Sequence, residues 1–421
     1  MSRAMIESPE LDRPQAISPV RRRKGTQSGT AAAHTLAFCC ALSAAVPLSA
    51  RADGTLNPYV DAQVEHDSNV FRVPNSQTIL LSSGDPTLAD TDEKYIAGVD
   101  GTYMWSQQKL TAVFEGRHST YNHYKDLDHN EYLADVDLTW KLTHLFDGSF
   151  EVRQERVMAP FVLGNSSRLT INVDRNAAAK VNFNVSPDWR LDVGGYYHKL
   201  NSPLQNFPDF VERDIGSHAG LSYVGIANLT YGIAFDHIDG RFENAQGVGP
   251  FVQNGSQLKL NYAVGTLTTL NAAVGYSKRD QAGAAGNISA FTGELGYTRQ
   301  LTGKTSVNVH VTRAVNSYVA AGGSEIDTTA AAQVYWQATY KIAVTANYAY
   351  THSTFIGQVI PGSITNGRVD RSPYASLRIT YQPIQRLQFR AYLTKQSRTS
   401  NVELFNYSAT IYGIDAKLTF R

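Results

Sequence analysis

Cysteine is nearly absent from this chain of 421 residues: there are two, the adjacent Cys39 and Cys40. Two neighbouring thiols build neither a disulfide scaffold nor a zinc ribbon. There is no uninterrupted apolar run long enough for a series of membrane helices. Charge is sparse and balanced, with 18% charged residues and a net charge of +1. A bulk basic signal for nucleic acid is therefore missing. What is abundant is aromatic: 23 Tyr, 17 Phe and 4 Trp stand against only 4 Met. With 42% hydrophobic residues the chain is too apolar for a disordered polymer. So many rings without a long apolar stretch call for an arrangement that spreads them out.

The first fifty residues read as an address. Arg21, Arg22, Arg23 and Lys24 precede an apolar run from about Ala31 to Val46, Pro47 breaks it, and Ala50-Arg51-Ala52 forms a small-x-small site. These are the three parts of a secretory signal peptide, here with a long leading region, expected over residues 1–52. Lipoprotein processing at Cys39 is disfavoured by the bulky Phe38 before it. Removing seven basic residues and three acids with the leader leaves 31 bases and 34 acids, a charge of −3 on the remaining 369 residues (421 − 52). Both cysteines leave as well, which suits an oxidising compartment.

Residues 53–421 alternate. In 411–420, Tyr412, Ile414, Ala416, Leu418 and Phe420 share one face, with Gly413, Asp415, Lys417 and Thr419 on the other. The segments 95–105, 258–264 and 387–394 do the same. Period two with one apolar face marks a half-buried strand. About eighteen such segments occur (16–18), joined by short connections that alternate with long ones near 67–91, 122–129, 159–167, 201–210, 240–250, 281–286, 319–324, 356–366 and 400–405. That rhythm predicts an all-β fold: an up-and-down antiparallel transmembrane β-barrel in the bacterial outer membrane, with short periplasmic turns and long outer loops. Both termini of the barrel would be periplasmic. Spanning strands of about 9–11 residues are expected, with the extra length in loops.

The rings now acquire positions. Near the end of each strand that runs into a short turn, the apolar face carries an aromatic: Trp105, Trp140, Phe183, Tyr223, Tyr262, Tyr297, Trp336, Tyr381 and Phe420. Their spacings are 35, 43, 40, 39, 35, 39, 45 and 39 residues. Nine recurrences at one edge predict an interfacial girdle. A forty-residue period also fits a propeller blade, but a blade packs four short strands where this chain has two long ones.

The opposite face would line a lumen. Its candidate residues are Glu115, Arg117, Arg153, Arg190, Lys259, Arg378, Arg390 and Tyr392, with acids clustering early in the chain and bases weighing more late. Such arcs would set a transverse field across a water-filled pore, or simply pair across strands. No nucleophile elbow or close metal-ligand pair occurs. Asp126-Leu127-Asp128-His129-Asn130-Glu131 has the opening spacing of a calcium loop but lacks the glycine at its sixth position. No catalytic residue, cofactor or metal is expected.

The run Pro58-Tyr59-Val60, followed by Asp67-Ser68-Asn69-Val70-Phe71-Arg72, resembles the opening of the β-barrel porin family linked to exopolysaccharide biosynthesis and exosortase systems. Asp67, Asn69, Phe71 and Arg72 are the matching positions. The resemblance implies an outer-membrane conduit for polysaccharide. Its partners would be outer-membrane lipid, the barrel-assembly machinery, polysaccharide and periplasmic export components, and not nucleic acid. A general small-solute porin, a structural or adhesive barrel and an enzymatic barrel are the alternatives. Phe420, penultimate to Arg421, is similar to the terminal aromatic by which assembly machinery recognises its clients.

N-terminal sequencing of the exported protein is expected to begin at Asp53. A maleimide probe should leave the denatured exported chain unlabelled, and labelling would mean that the leader and its cysteines remain.

Overall fold

In a bilayer every backbone N–H and C=O must find a partner within the protein, and a chain of alternating strands meets that demand only by closing on itself. A computed structural model describes residues 53–76, 84–159, 161, 168–202, 210–243, 248–283, 286–318, 323–356 and 367–420. The expected signal peptide lies outside the described residues. The first nine strands are β1 (Asp53–Asp67), β2 (Asp90–Trp105), β3 (Gln108–Tyr121), β4 (His129–Lys141), β5 (Phe146–Met158), β6 (Ile171–Asn184), β7 (Trp189–Ser202), β8 (Phe210–Ile226) and β9 (Leu229–Glu243). The second nine are β10 (Val248–Val264), β11 (Thr268–Gly283), β12 (Ile288–Thr302), β13 (Thr305–Tyr318), β14 (Gly323–Gln337), β15 (Ile342–Ile356), β16 (Val369–Ile384), β17 (Leu387–Ser400) and β18 (Tyr407–Thr419).

Each strand pairs antiparallel with its neighbours in sequence, and β1 pairs with both β2 and β18. The barrel is closed, with eighteen strands and no edge. The expected girdle residues all point outward, on the same phase as exposed aliphatics such as Leu258, Val274 and Ile414. Several meet further rings on the adjoining strand: Phe183 stacks on Phe146 with ring centroids 4.8 Å apart, Tyr223 packs against Trp189 at 5.2 Å, and Tyr381 against Phe389 at 6.4 Å.

The eight connections at the girdle end are two to four residues long. Ser106 takes a left-handed φ of 54° in the two-residue turn 106–107, as a tight hairpin requires. Two of these turns, 142–145 and 338–341, are not apparent in the sequence because Leu142, Leu145 and Tyr340 interrupt the polar pattern. Hydroxyl caps make them: Thr143 Oγ1 accepts from the Leu145 and Phe146 amides at 3.0 and 3.3 Å, and Thr339 Oγ1 from Lys341 and Ile342 at 3.2 and 3.0 Å.

At the other end the strands overrun their expected length. They contain 13 to 17 residues rather than about 9–11. Loops expected over 240–250, 281–286 and 319–324 shrink to the four-residue connections 244–247, 284–287 and 319–322, because pairing continues to Gly240–Phe251, Val248–Gly283 and Tyr318–Gly323. Paired backbone satisfies its own hydrogen bonds above the membrane as well as within it. A second outward belt, formed by Tyr95, Tyr132, Tyr197, Phe235, Tyr276, Phe291, Tyr350 and Tyr412, marks the upper edge of the apolar band. Tyr132 to Trp140 and Tyr412 to Phe420 are eight residues apart on their strands. At about 3.3 Å per residue and a tilt of about 40°, that separation is about 20 Å, close to the height of a membrane barrel's apolar band.

Placing a charge in that band should be costly. Leu258→Arg is expected to lower the unfolding free energy in lipid vesicles by about 2–4 kcal/mol. Asn261→Arg, three residues on and facing the lumen, should be near neutral. Equal costs would contradict the assignment of faces.

Candidate functional site

The family-like motif forms a folded corner where β1 leaves the barrel wall. The Asn69 amide N–H donates to Asp67 Oδ1 at 2.8 Å. The Asn69 side chain then clamps Val73 from both sides, donating to its carbonyl at 2.8 Å and accepting from its N–H at 3.2 Å. It also donates to the Ser408 carbonyl at the start of β18, at 3.2 Å. Arg72 takes a left-handed φ of 52° and pairs with Asp67 at 2.7 Å. These bonds drive Phe71 into an apolar cluster with Val70, Val73, Tyr121, Leu127 and Phe161, where Phe71 is 1% exposed. Its ring meets Tyr124 and Phe161 edge-on at 4.7 and 4.9 Å. Asp67, Asn69, Phe71 and Arg72 thus hold the first long connection against the neighbouring two.

The calcium-like run is spent in the same corner. Lys125–Leu127 form one 3₁₀ turn, Asp128 accepts from the Tyr121 amide at 2.7 Å, and His129 Nε2 lies 3.0 Å from Glu131. Beside it, hydrogen bonds from Thr87 and His123 lower the Asp85 carboxyl to about 2.

Two arginines organise the rest of this rim. Arg279 on β11 is 3% exposed and lies over Phe251 at 4.0 Å, donating to Gln253 at 2.8 Å and to Ser317 at 2.9 Å. Glu212 on β8 lies within hydrogen-bonding reach of the same Ser317 on β13, with four strands between them. Phe251 reaches this place by lying on Gly240, where a Cβ would collide with its ring. Arg368, 1% exposed, is held between Phe355 at 4.1 Å and Phe405 at 3.7 Å, and it pairs with Asp370. Arg398 joins the same group through the Phe405 carbonyl at 2.7 Å. The long-loop mouth is therefore narrowed by packed side chains at three places around its circumference.

Below the mouth the inner wall is polar. All eight expected lumen residues lie on the inward phase. Six are tied into wall networks. Tyr59 donates to Glu115, Glu115 pairs with Arg117 at 2.5 Å, and Arg117 reaches Glu155 at 3.5 Å. Arg153 lies 3.2 Å from Asp135 and 3.0 Å from Glu155. Arg190 pairs with Asp147 at 2.6 Å. Arg390 bridges Asp61 at 2.7 Å and Asp415 at 2.5 Å, and Tyr392 bonds Glu65 and Gln63 beside it. Lys259 and Arg378 differ. Neither makes an ion pair among the described residues, and neither does Glu294.

Two histidine bridges also stand in this wall and were not foreseen. His218 is held between Asp192 at 2.7 Å and Asp236 at 2.6 Å, and His198 between Asp174 and Asp214, both at 3.3 Å. Their acids come from adjoining strands, 16 to 26 positions away, and only register reveals them. Asp135, Asp137 and Glu151 bring carboxylate oxygens within 4.8 Å of one another. Arg153 already occupies one side of that group through Asp135.

Residues 235–420 match the model of the family described as "Putative beta-barrel porin 2". No curated protein sequence matches the chain. Among solved structures, it is similar to the outer membrane protein OpdK from Pseudomonas aeruginosa, with 13% identity over 87% of this chain and 99% of that one, at a TM-score of 0.46. It is similar to the ferric enterobactin receptor PfeA of Pseudomonas aeruginosa, with 8% identity over 86% and 81% and a TM-score of 0.44. The siderophore receptor PirA from Acinetobacter baumannii shares 8% identity over 88% and 81%, at a TM-score of 0.43.

Truncating the anchor of the first corner should loosen it. Phe71→Ala is expected to cost about 3–5 kcal/mol, the usual loss for a buried ring. Urea unfolding reads the cost, and faster protease cleavage within residues 68–76 reads its location; an unchanged midpoint and cleavage rate would contradict the anchor role.

Proposed function

We propose that this porin-like outer-membrane β-barrel is a passive conduit serving the export of extracellular polysaccharide. In this reading the short turns and both ends of the barrel face the periplasm, and the long-loop rim faces the exterior. The observation that carries the reading is the division of the inner wall. Most of its charges neutralise one another in place, while Lys259, Glu294 and Arg378 have no ion-pair partner among the described residues. Neutralised groups keep the wall wetted without holding a passing solute. Unpaired groups on the late arc bias which solutes enter. Tyr196, Tyr335 and Tyr374 stand on the inner phase with Tyr392, and such rings can stack on sugar faces. The resemblance of the Asp67–Arg72 run to exopolysaccharide-linked porins supports the same substrate class. No step in such passage asks for a cofactor or an energy source.

The narrowed mouth favours a second reading, a general porin for small solutes. Packing around Phe71, Arg279 and Arg368 leaves less room for a polymer than an unobstructed rim would.

Planar-bilayer recordings separate the two. The conduit reading expects steady single-channel conductance that the host's own purified polysaccharide blocks from the periplasmic side. Unblocked conductance that carries sugars and small ions favours the general porin, and absence of any conductance sinks both. Lys259→Gln with Arg378→Gln should lower anion over cation permeability severalfold, whereas Arg153→Gln should change it less.

A further inference from the structure

The outer surface carries one arrangement that neither lipid tails nor the barrel's packing accounts for. Arg175 on β6 stands directly opposite Lys199 on β7, Lys199 opposite Arg213 on β8, and Arg213 opposite Arg241 on β9. All four are on the outward phase, two residues beyond Tyr197 and the exposed Ile215 on their strands. Like charges directly opposed on one face of a sheet destabilise it. Here the clash is repeated over four consecutive strands.

The barrel compensates only partly. Glu243 lies 2.7 Å from Arg213, and Asp239 lies 3.6 Å from Arg241. Arg175 donates to the neutral Gln154 at 3.2 Å, and neither it nor Lys199 has a carboxylate partner among the described residues. The Arg213 Nε is shielded from solvent and has no hydrogen-bond partner among the described residues. Surplus positive charge, opposed over four strands on the outward face, is the complement of an anion that is not part of the chain.

The height of the ladder identifies the kind of anion. Lys199, Arg213 and Arg241 each lie ten residues along their strands from a girdle-end ring, Trp189, Tyr223 and Tyr231 respectively. At about 3.3 Å per residue and a tilt of about 40° that is about 25 Å, just past the apolar band. We propose that the Arg175–Lys199–Arg213–Arg241 ladder is a docking site for the phosphorylated headgroup of a glycolipid in the outer leaflet. Guanidinium groups bind phosphate through paired charge-assisted hydrogen bonds, and the Arg213 side chain is partly exposed on this face. A lipid is favoured over dissolved phosphate because the ladder sits directly above Tyr197 and Ile215, which face acyl chains, so one molecule engages both surfaces. This inference rests on the orientation proposed above, with the long-loop rim outside.

Native mass spectrometry of the full exported barrel in detergent tests it, with bis-phosphorylated lipid A, the same lipid stripped of phosphate, and inorganic phosphate as probes. Binding of the phosphorylated lipid alone is expected, with affinity reduced tenfold or more in a Lys199→Gln, Arg213→Gln double variant. Without lipid the double variant should melt a few degrees above the wild type, because the repulsion is relieved; a variant that merely misfolds would melt lower, and Lys199→Gln alone would then be judged by the same binding criterion. Equal binding of the stripped lipid, or undiminished affinity in the variant, overturns the proposal. Competition by inorganic phosphate at the lipid's own concentration overturns the lipid as the occupant. The assay reads no conductance, so its failure leaves the conduit reading standing, and a barrel without conductance leaves lipid binding to be judged by itself.

Discussion

The seam between β1 and β18, paired from Tyr59–Thr419 to Asp67–Ile411, is the constraint on which the rest depends. An open sheet in lipid would leave a row of backbone groups without partners, each costing several kcal/mol. Closure removes that cost and fixes the two-sidedness of every strand. Once the outward phase is committed to lipid, the inward phase inherits the polar residues of the strands across the apolar band. The lumen's chemistry is thus a consequence of the hydrogen-bond ladder as much as of any selection for transport.

That polar inheritance is managed in two ways. Along the early strands and the seam, acids and bases pair with residues one or two strands away, as Arg153 does with Asp135 and Arg390 with Asp61 and Asp415. Such pairs gain little net stability where water reaches them, but they fix side chains in place. At the mouth the same residue types are buried on aromatic rings, with Arg279 over Phe251 and Arg368 between Phe355 and Phe405. Desolvation strengthens the cation–π attraction there, so the rim is held by a few well-packed nodes.

The strand count, the closed barrel and the outward phase of the recurring rings were legible because the bilayer imposes period two over a fixed height. Strand ends were not, for the same reason. Above the membrane both faces of a hairpin meet water, so residues such as His237, Asp239 and Arg241 on β9 carry no alternation while remaining paired. The inward phase of Glu115 or Arg378 could be read from the pattern, but their partners could not. Tyr392 meets Glu65 across 327 positions and Gln63 across 329, and no local signal encodes such a distance. The Asp67–Arg72 run was recognisable as a motif, yet its content as a clamped corner needed Val73 and Ser408, which no spacing rule connects to it.

That corner also bears on the order of assembly. Asn69 bonds Ser408 across 339 positions, and the Ser68 hydroxyl accepts from the Thr410 amide across 342. Contacts this remote in sequence carry a large loop-closure entropy and form slowly. The corner cannot be completed until the last strand has reached the first. A turn near the start of the barrel therefore records that the end has arrived, and a chain cut short before β18 would leave its first connection unfinished.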